Sequence, residues 1–262
     1  MGSTDLLIGS GAVLLAVAIA VAIRLLAERR RLRRRLDGAT AELQRLQTSF
    51  QRFAPTAVVE GIVARARATD AARREVTVLF GDLVGFTSLS EHLDPEVLVS
   101  VLNEYFVRMS QAIGEHRGHV AKFIGDGLMA LFGAIEPNPW QGNDAVHAAL
   151  AMQRALAAYN QELAARALPT LQLGVGIHRG VAIAGVIGSQ ALVEFTVIGR
   201  TVNLASRVER LTREIPADIL ITASVREGLD PRFVLEELPA RTVRGVSEPV
   251  VTYAVREFRD AE

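Results

Sequence analysis

Two apolar runs that each lead into an aspartate constrain this chain more than any other feature. The first, EVTVLFGD, spans residues 75–82 and ends at Asp82; the second, KFIGDGLMALF, carries Asp126 at its centre. Asp126 lies between Gly125 and Gly127. Glycine and aspartate tolerate the positive φ that tight hairpin turns need, so residues 119–132 are expected to form a hairpin with Asp126 at its tip. If the first strand pairs with that hairpin, the two carboxylates stand at adjoining strand ends. Paired carboxylates at the mouth of a sheet suit hard cations such as Mg²⁺. Such cations serve phosphoryl chemistry.

Half of the 262 residues are apolar, enough for a sizeable core. Cysteine is absent, which excludes disulfides, a thiolate nucleophile and a cysteine zinc site, and fits a reducing compartment. Acids and bases balance at 29 each, so the charge gives no pull towards nucleic acid.

The exception is local. From Leu6 to Ile23 no residue is charged, and Leu25, Leu26 and Ala27 extend the run past Arg24. At 1.5 Å per residue such a helix is just long enough for a hydrocarbon core of ~30 Å. The leader MGSTD carries no positive charge, and no small-residue cleavage site follows, which argues against a signal peptide. Residues 1–27 are therefore expected to be a retained, single-pass transmembrane anchor. Arg29, Arg30, Arg31, Arg33, Arg34 and Arg35 follow at once. They place the remainder of the chain on the cytoplasmic side of the cell (plasma or inner) membrane.

Leu25, Leu32, Ala39 and Leu46 recur every seven residues, and Leu36, Leu43 and Phe50 follow four residues after members of that series. This is the heptad pattern of a coiled coil, expected over 28–53 and most simply parallel and two-stranded. Gly38 weakens it by roughly 1 kcal/mol against alanine. Pro55 ends the helix, and 54–74 reads as a linker with a short helix over 57–68.

From Glu75 onward strands and helices alternate. Expected are a strand at 75–80, a helix at 95–116 capped by Asp94 with Pro95 at its first position, and the hairpin at 119–132. A helix at 144–166, strands at 171–178, 181–187 and 192–197, and a helix at 201–213 follow, with shorter β segments near 219, 233 and 250. The order β-α-β-β-α-β predicts an α+β, ferredoxin-like core with additional strands across the domain 75–262. That fold alone fixes no function. The glycine string from Gly174 to Gly180 reads as a turn between two strands, not a dinucleotide fingerprint. His116 and His119 lack the carboxylate or cysteine company of a zinc site, and His178 is expected to pack beside the sheet.

FGDLVGFTSLSE, KFIGDGLMALFG, GVGIHRGVAIAGVIGS and IGRTVNLASRVERL together resemble the class III nucleotidyl (adenylate/guanylate) cyclase catalytic domain. The resemblance spans about residues 75–256, in the family's order and spacing. It implies that Asp82, Asp126 and the backbone of Leu83 hold two divalent cations, Mg²⁺ or Mn²⁺. It implies that the loop with Phe86 and Thr87 offers N–H groups to phosphate, and that Asn203 and Arg207 orient the ribose and meet the charge developing at phosphorus. Lys122 falls where the family reads the purine. An ammonium donates to adenine N1, whereas guanine N1 carries a hydrogen and wants an acceptor, so lysine implies ATP. Thr196 stands at the partner position, where many adenylate cyclases have aspartate; its hydroxyl still accepts from the adenine amino group. In this it resembles the subgroup that responds to bicarbonate. Arg244 falls at the family's basic residue for the terminal phosphates, and Gly174 stands where a second phosphate-binding arginine is common. Because the metal pair and the Lys122/Asn203/Arg207 set come from different protomers in this family, a head-to-tail homodimer is implied. The expected activity is adenylate cyclase, ATP to 3′,5′-cyclic AMP and pyrophosphate. The alternatives are a guanylate cyclase and an inactive cyclase-like dimerisation module.

Overall fold

The computed structural model describes residues 71–188, 193–243 and 248–259, together with Arg24 and Arg33. The chain divides into two compact units, Met1–Phe53 and Ala54–Glu262. In the first unit Arg24 and Arg33 are helical and exposed; the expected anchor, coil and most of the linker otherwise lie outside the described residues. Among the described residues no helix is long and apolar enough to cross a membrane.

In the second unit the described chain runs β1 (Ala72–Leu83), α1 (Phe86–His92), α2 (Pro95–Glu115), β2 (His119–Ile124), β3 (Gly127–Phe132), α3 (Gln141–Ala165), β4 (Leu173–Gly188), β5 (Val193–Ile198), α4 (Arg200–Leu211), β6 (Ile219–Thr222), α5 (Ala223–Arg226), β7 (Phe233–Arg241) and β8 (Val250–Phe258). One sheet has the order β2-β3-β1-β4-β6-β8-β7, with β5 pairing β4. Strands β2-β3-β1-β4, joined by α2 and α3, are the expected ferredoxin-like core. The remaining strands extend it beyond β4.

Period-two alternation sends the residues of β1 to two separate cores. Leu79 joins Tyr105, Met109 and Ile113 of α2, Met152, Tyr159 and Leu163 of α3, and Leu128 and Phe132 of β3. On the other face Val76 and Val78 join Met129, Leu131, Ala182, Phe195, Val197 and Ala205. Strand β3 is buried at every position because both faces are covered. Truncating a side chain such as Leu79, fully buried, to alanine costs about 2–5 kcal/mol.

Several local expectations hold. The Asp94 carboxylate accepts from the N–H of Glu96 at 2.9 Å, with Pro95 at the first helical position. Gly125 has φ 62° in the two-residue turn between Ile124 and Gly127, which face each other in the ladder. Others are corrected. The first strand begins at Ala72, inside the expected linker, because Ala72–Glu75 extend the ladder with Val181–Ala184. The segments 171–178 and 181–187 are one strand, paired with β1 without interruption from Leu173 to Ala184. Their glycines are not turn formers. A Cβ at Gly176 would lie 2.1 Å from the Glu209 nitrogen, so the glycine marks the close approach of α4 to the strand. Phe86 and Thr87, expected in a loop, open a short helix, Phe86–His92. Helix α3 starts at Gln141, before the expected Asp144. Asp144 sits buried in its first turn, accepting from Arg117 Nη2 and Asn138 Nδ2, each at 2.6 Å.

Two histidines tie stability to pH. His178, expected to pack beside the sheet, is part of it, on β4 opposite Val78, with its Nδ1 2.8 Å from Thr222 Oγ1; the His119 ring centroid lies 6.0 Å from that of Phe195. Burial lowers both to about 4. Unfolded histidine titrates near 6.5, so below about 6.5 the unfolded chain takes up protons that the native state refuses. This contribution to stability is fully present above pH 6.5 and falls as pH drops towards 4. Urea midpoints should fall between pH 7.5 and pH 5, and His178→Gln should lose less than the wild type over that interval. An equal loss in the variant would show that His178 does not carry this dependence.

Candidate active site

Asp82 is the penultimate residue of β1. Its strand neighbour on one side is Gly174 of β4; on the other, Gly81 faces Leu128 of β3, which brings the hairpin tip and Asp126 alongside. The fit is close: a Cβ on Gly127 would lie 2.6 Å from Asp82 Oδ1 and 3.1 Å from the Gly81 carbonyl oxygen. Burial raises the Asp126 carboxyl above its ordinary value, and the negative charge on Asp82 raises it further. Backbone hydrogen bonds at Asp126 and Leu83 and the charge of Arg213 oppose that rise. The Leu83 side chain is buried in the main core, which leaves its backbone as the part that faces the carboxylates.

Three further groups surround the pair. Tyr105, fully buried on α2, has a hydroxyl without a hydrogen-bond partner among the described residues. Burial, then Asp82 and Asp126, push its ionisation up. Glu209 of α4 is pushed up to about 7, first by burial and further by Asp82 and Asp126, against the pull of Arg213. Arg213, just past the end of α4, donates to Asp82 Oδ2 through Nη2, which also lies 3.5 Å from Glu209 Oε1. Asp82 and Glu209 thus share one guanidinium, whose charge also reaches Asp126. Hard oxygen donors with a surplus of negative charge fit a divalent cation such as Mg²⁺. No group of three His, Cys, Asp or Glu ligands occurs among the described residues. Asp82, Asp126 and the Leu83 backbone would therefore supply only part of a coordination sphere, leaving the rest to water or ligand phosphates, as Mg²⁺ commonly accepts.

A second cluster joins β2 to β5. Lys122 Nζ lies 3.0 Å from Glu194 Oε1 and donates to Glu194 Oε2 at 3.1 Å. Glu194 and Thr196 are two apart on one strand, hence on one side of it, and Thr196 is buried. The structure so brings the strands of Lys122 and Thr196 together. Asn203 and Arg207 lie four apart on α4, away from the buried Ala205 and Val208. Asn203 is exposed and Arg207 half-buried; neither donates from its side chain to another described residue, and neither is joined to Asp82 or Asp126 within the protomer. Phe86 packs against the main core and Thr87 is exposed, both at the start of α1. Arg244 lies outside the described residues.

Residues 69–257 match the model of the adenylate and guanylate cyclase catalytic domain. The chain belongs to this family. Among curated cyclase relatives, an adenylate cyclase of Anabaena cylindrica is 36% identical over 228 residues, covering 82% of this chain and 44% of that protein. Adenylate cyclase 1 of Rhizobium meliloti is 33% identical over 183 residues, 70% of this chain and 28% of that protein. The chain thus spans less than half the length of these relatives. Two solved cyclase structures superpose with TM-scores of 0.69. One is the guanylyl cyclase Cya2, 35% identical, covering 73% of this chain and 96% of that one. The other is the adenylyl cyclase CyaB of P. aeruginosa, 32% identical, covering 73% and 98%. Class III cyclases work with divalent metal ions, in keeping with the carboxylate cluster.

Glu194, Glu209 and Arg213 escape a reading of the sequence. Only Glu194 leaves a signal, its spacing of two from Thr196. The packing at Gly127 gives a direct test of the cluster. Gly127→Ala should displace the Asp82 carboxylate and weaken Mn²⁺ binding, followed by electron paramagnetic resonance with pyrophosphate present, by roughly 10- to 100-fold. The thermal midpoint should move only a few degrees. Unchanged Mn²⁺ affinity would contradict the placement of Asp82 as a ligand.

Proposed function

We propose that this cyclase domain is an adenylate cyclase, forming 3′,5′-cyclic AMP and pyrophosphate from ATP at a site shared by two copies of the chain. The observation that carries the reading is the Asp82–Asp126 pair in a chain that also holds an ammonium, Lys122, braced by Glu194. Curated relatives named adenylate cyclases support the choice of substrate.

Bound at Asp82, Asp126 and the Leu83 backbone, two divalent cations, Mg²⁺ or Mn²⁺, would neutralise the triphosphate and acidify the ribose 3′-hydroxyl. The chain's own residues do the positioning, the main part of phosphoryl-transfer catalysis. In the reaction the bond from ribose O3′ to the α-phosphorus forms as the bond to the β-phosphate oxygen breaks; pyrophosphate departs, and the hydroxyl proton passes to solvent. Lys122 donates to adenine N1, and the Thr196 hydroxyl accepts from the exocyclic amine. Asn203 holds the ribose, and Arg207 meets the charge developing at phosphorus. These two side chains lie exposed or half-exposed and bound to no described neighbour, as expected of groups offered to a partner's site. Backbone N–H groups near Phe86 and Thr87, together with Arg244, hold the phosphates.

The head-to-tail dimer follows from this division of labour. Heptads over 28–53 would hold it as a parallel coiled coil, and the anchor over 1–27, with its uncharged run Leu6–Ile23, would fix it in the cell membrane by one helix, with the catalytic domain cytoplasmic.

Purified protein assayed with ATP and with GTP in Mn²⁺ tests the reading. Cyclic AMP should form in preference to cyclic GMP. Lys122→Glu should lower kcat/KM for ATP by tenfold or more, about 1.4 kcal/mol of transition-state binding, and narrow the preference over GTP. Preference for GTP in the wild type would point to a guanylate cyclase, and full activity in Asp82→Ala would sink the metal assignment.

A further inference from the structure

The cation on Asp82 comes from an unexpected place. Gly174, the strand neighbour of Asp82, leaves no room for a side chain: a Cβ there would lie 2.1 Å from Thr212 Oγ1. The turn after α4 fills that space, with Thr212 Oγ1 donating to the Glu209 carbonyl at 2.7 Å. The next residue, Arg213, reaches over to Asp82 and lies 3.5 Å from Glu209 Oε1. Its side chain is 37% exposed, so the guanidinium is anchored at one edge and open at the other. A guanidinium presents five N–H donors in a planar fork that matches phosphate oxygens. Nothing in the catalytic scheme above uses it.

We propose that Arg213 is a polyphosphate-binding residue: it neutralises Asp82 while the site is empty and transfers to the β- and γ-phosphates of the nucleotide when Asp82 turns to a divalent cation. The inference rests on the metal role of Asp82 but not on which purine is cyclised. Two features support the exchange. The guanidinium is held over the site by two side chains at once, Asp82 and Glu209, so it stays beside the metal position when one of them lets go. The Thr212 hydrogen bond and the contact with Gly174 fix the backbone on which the arginine turns, so a change of side-chain rotamer suffices for the transfer. An empty-site counter-charge and a phosphate clamp are then one residue in two positions.

Pyrophosphate titrated calorimetrically into the full chain with Mg²⁺ tests this without requiring turnover. Arg213→Gln should weaken pyrophosphate binding by about tenfold or more, the loss of hydrogen bonds to a charged group. The KM for ATP should rise in parallel, with kcat changed far less. Arg213→Lys keeps the charge but not the fork and should recover part of the loss, which separates phosphate binding from misfolding. Unchanged or tighter pyrophosphate binding in Arg213→Gln would overturn the proposal and leave Arg213 as a counter-charge to Asp82 only, as would a wild type that does not bind pyrophosphate at all. A wild type that binds pyrophosphate through Arg213 but forms no cyclic AMP from ATP would contradict the proposed adenylate cyclase activity and uphold this inference.

Discussion

Asp82 and Asp126 repel one another, and the domain holds them side by side. Their proximity comes from ordinary strand pairing: the β1–β3 register carries the hairpin tip to the end of β1, and Gly127 lets the Asp82 carboxylate close over the turn. Burial makes the repulsion more expensive, since desolvation disfavours charge. Backbone hydrogen bonds at Asp126 and Leu83 and the Arg213 guanidinium offset part of that cost. The rest is borne by a sheet packed on both faces. A site that is electrostatically uncomfortable when empty is one that a divalent cation relieves.

How much of this could be read from residues alone depended on whether the cause was local. The hairpin was legible because Gly125 needs positive φ and apolar runs flank it. The start of α2 was legible because Asp94 and Pro95 act on their own helix. The βαββαβ order followed from periodicity, and the aspartates from their place at strand ends. The single long β4 is not legible because its glycines look like turn residues, yet they answer to α4, some thirty residues later in the chain. Arg213 and Glu194 are hidden for the same reason. Their partners, Asp82 and Lys122, are distant in sequence, and no spacing rule connects them.

Helix α4 joins the parts of the domain that matter most. One side packs Ala205 and Val208 against the sheet. The other presents Asn203 and Arg207 outward, unjoined to the aspartates of their own protomer. Its end carries Glu209 and Arg213 to Asp82. On the proposed reading the same helix serves the carboxylate cluster of its own chain and would offer Asn203 and Arg207 to another. Any rotation between two domains would move both together. Such coupling gives a two-fold assembly a means of switching both sites at once.

Complementation between inactive variants tests the shared site most directly. Asp82→Asn should abolish cyclisation by removing the metal half, and Arg207→Ala by removing the half offered to the partner. Co-purified heterodimers of the two carry one site with both defects and one with neither. If the halves come from different protomers, a randomly associated equimolar mixture recovers about a quarter of wild-type activity, because half the dimers hold one working site of two. Heterodimers that form but stay as inactive as either parent would place both halves in one chain and contradict the account.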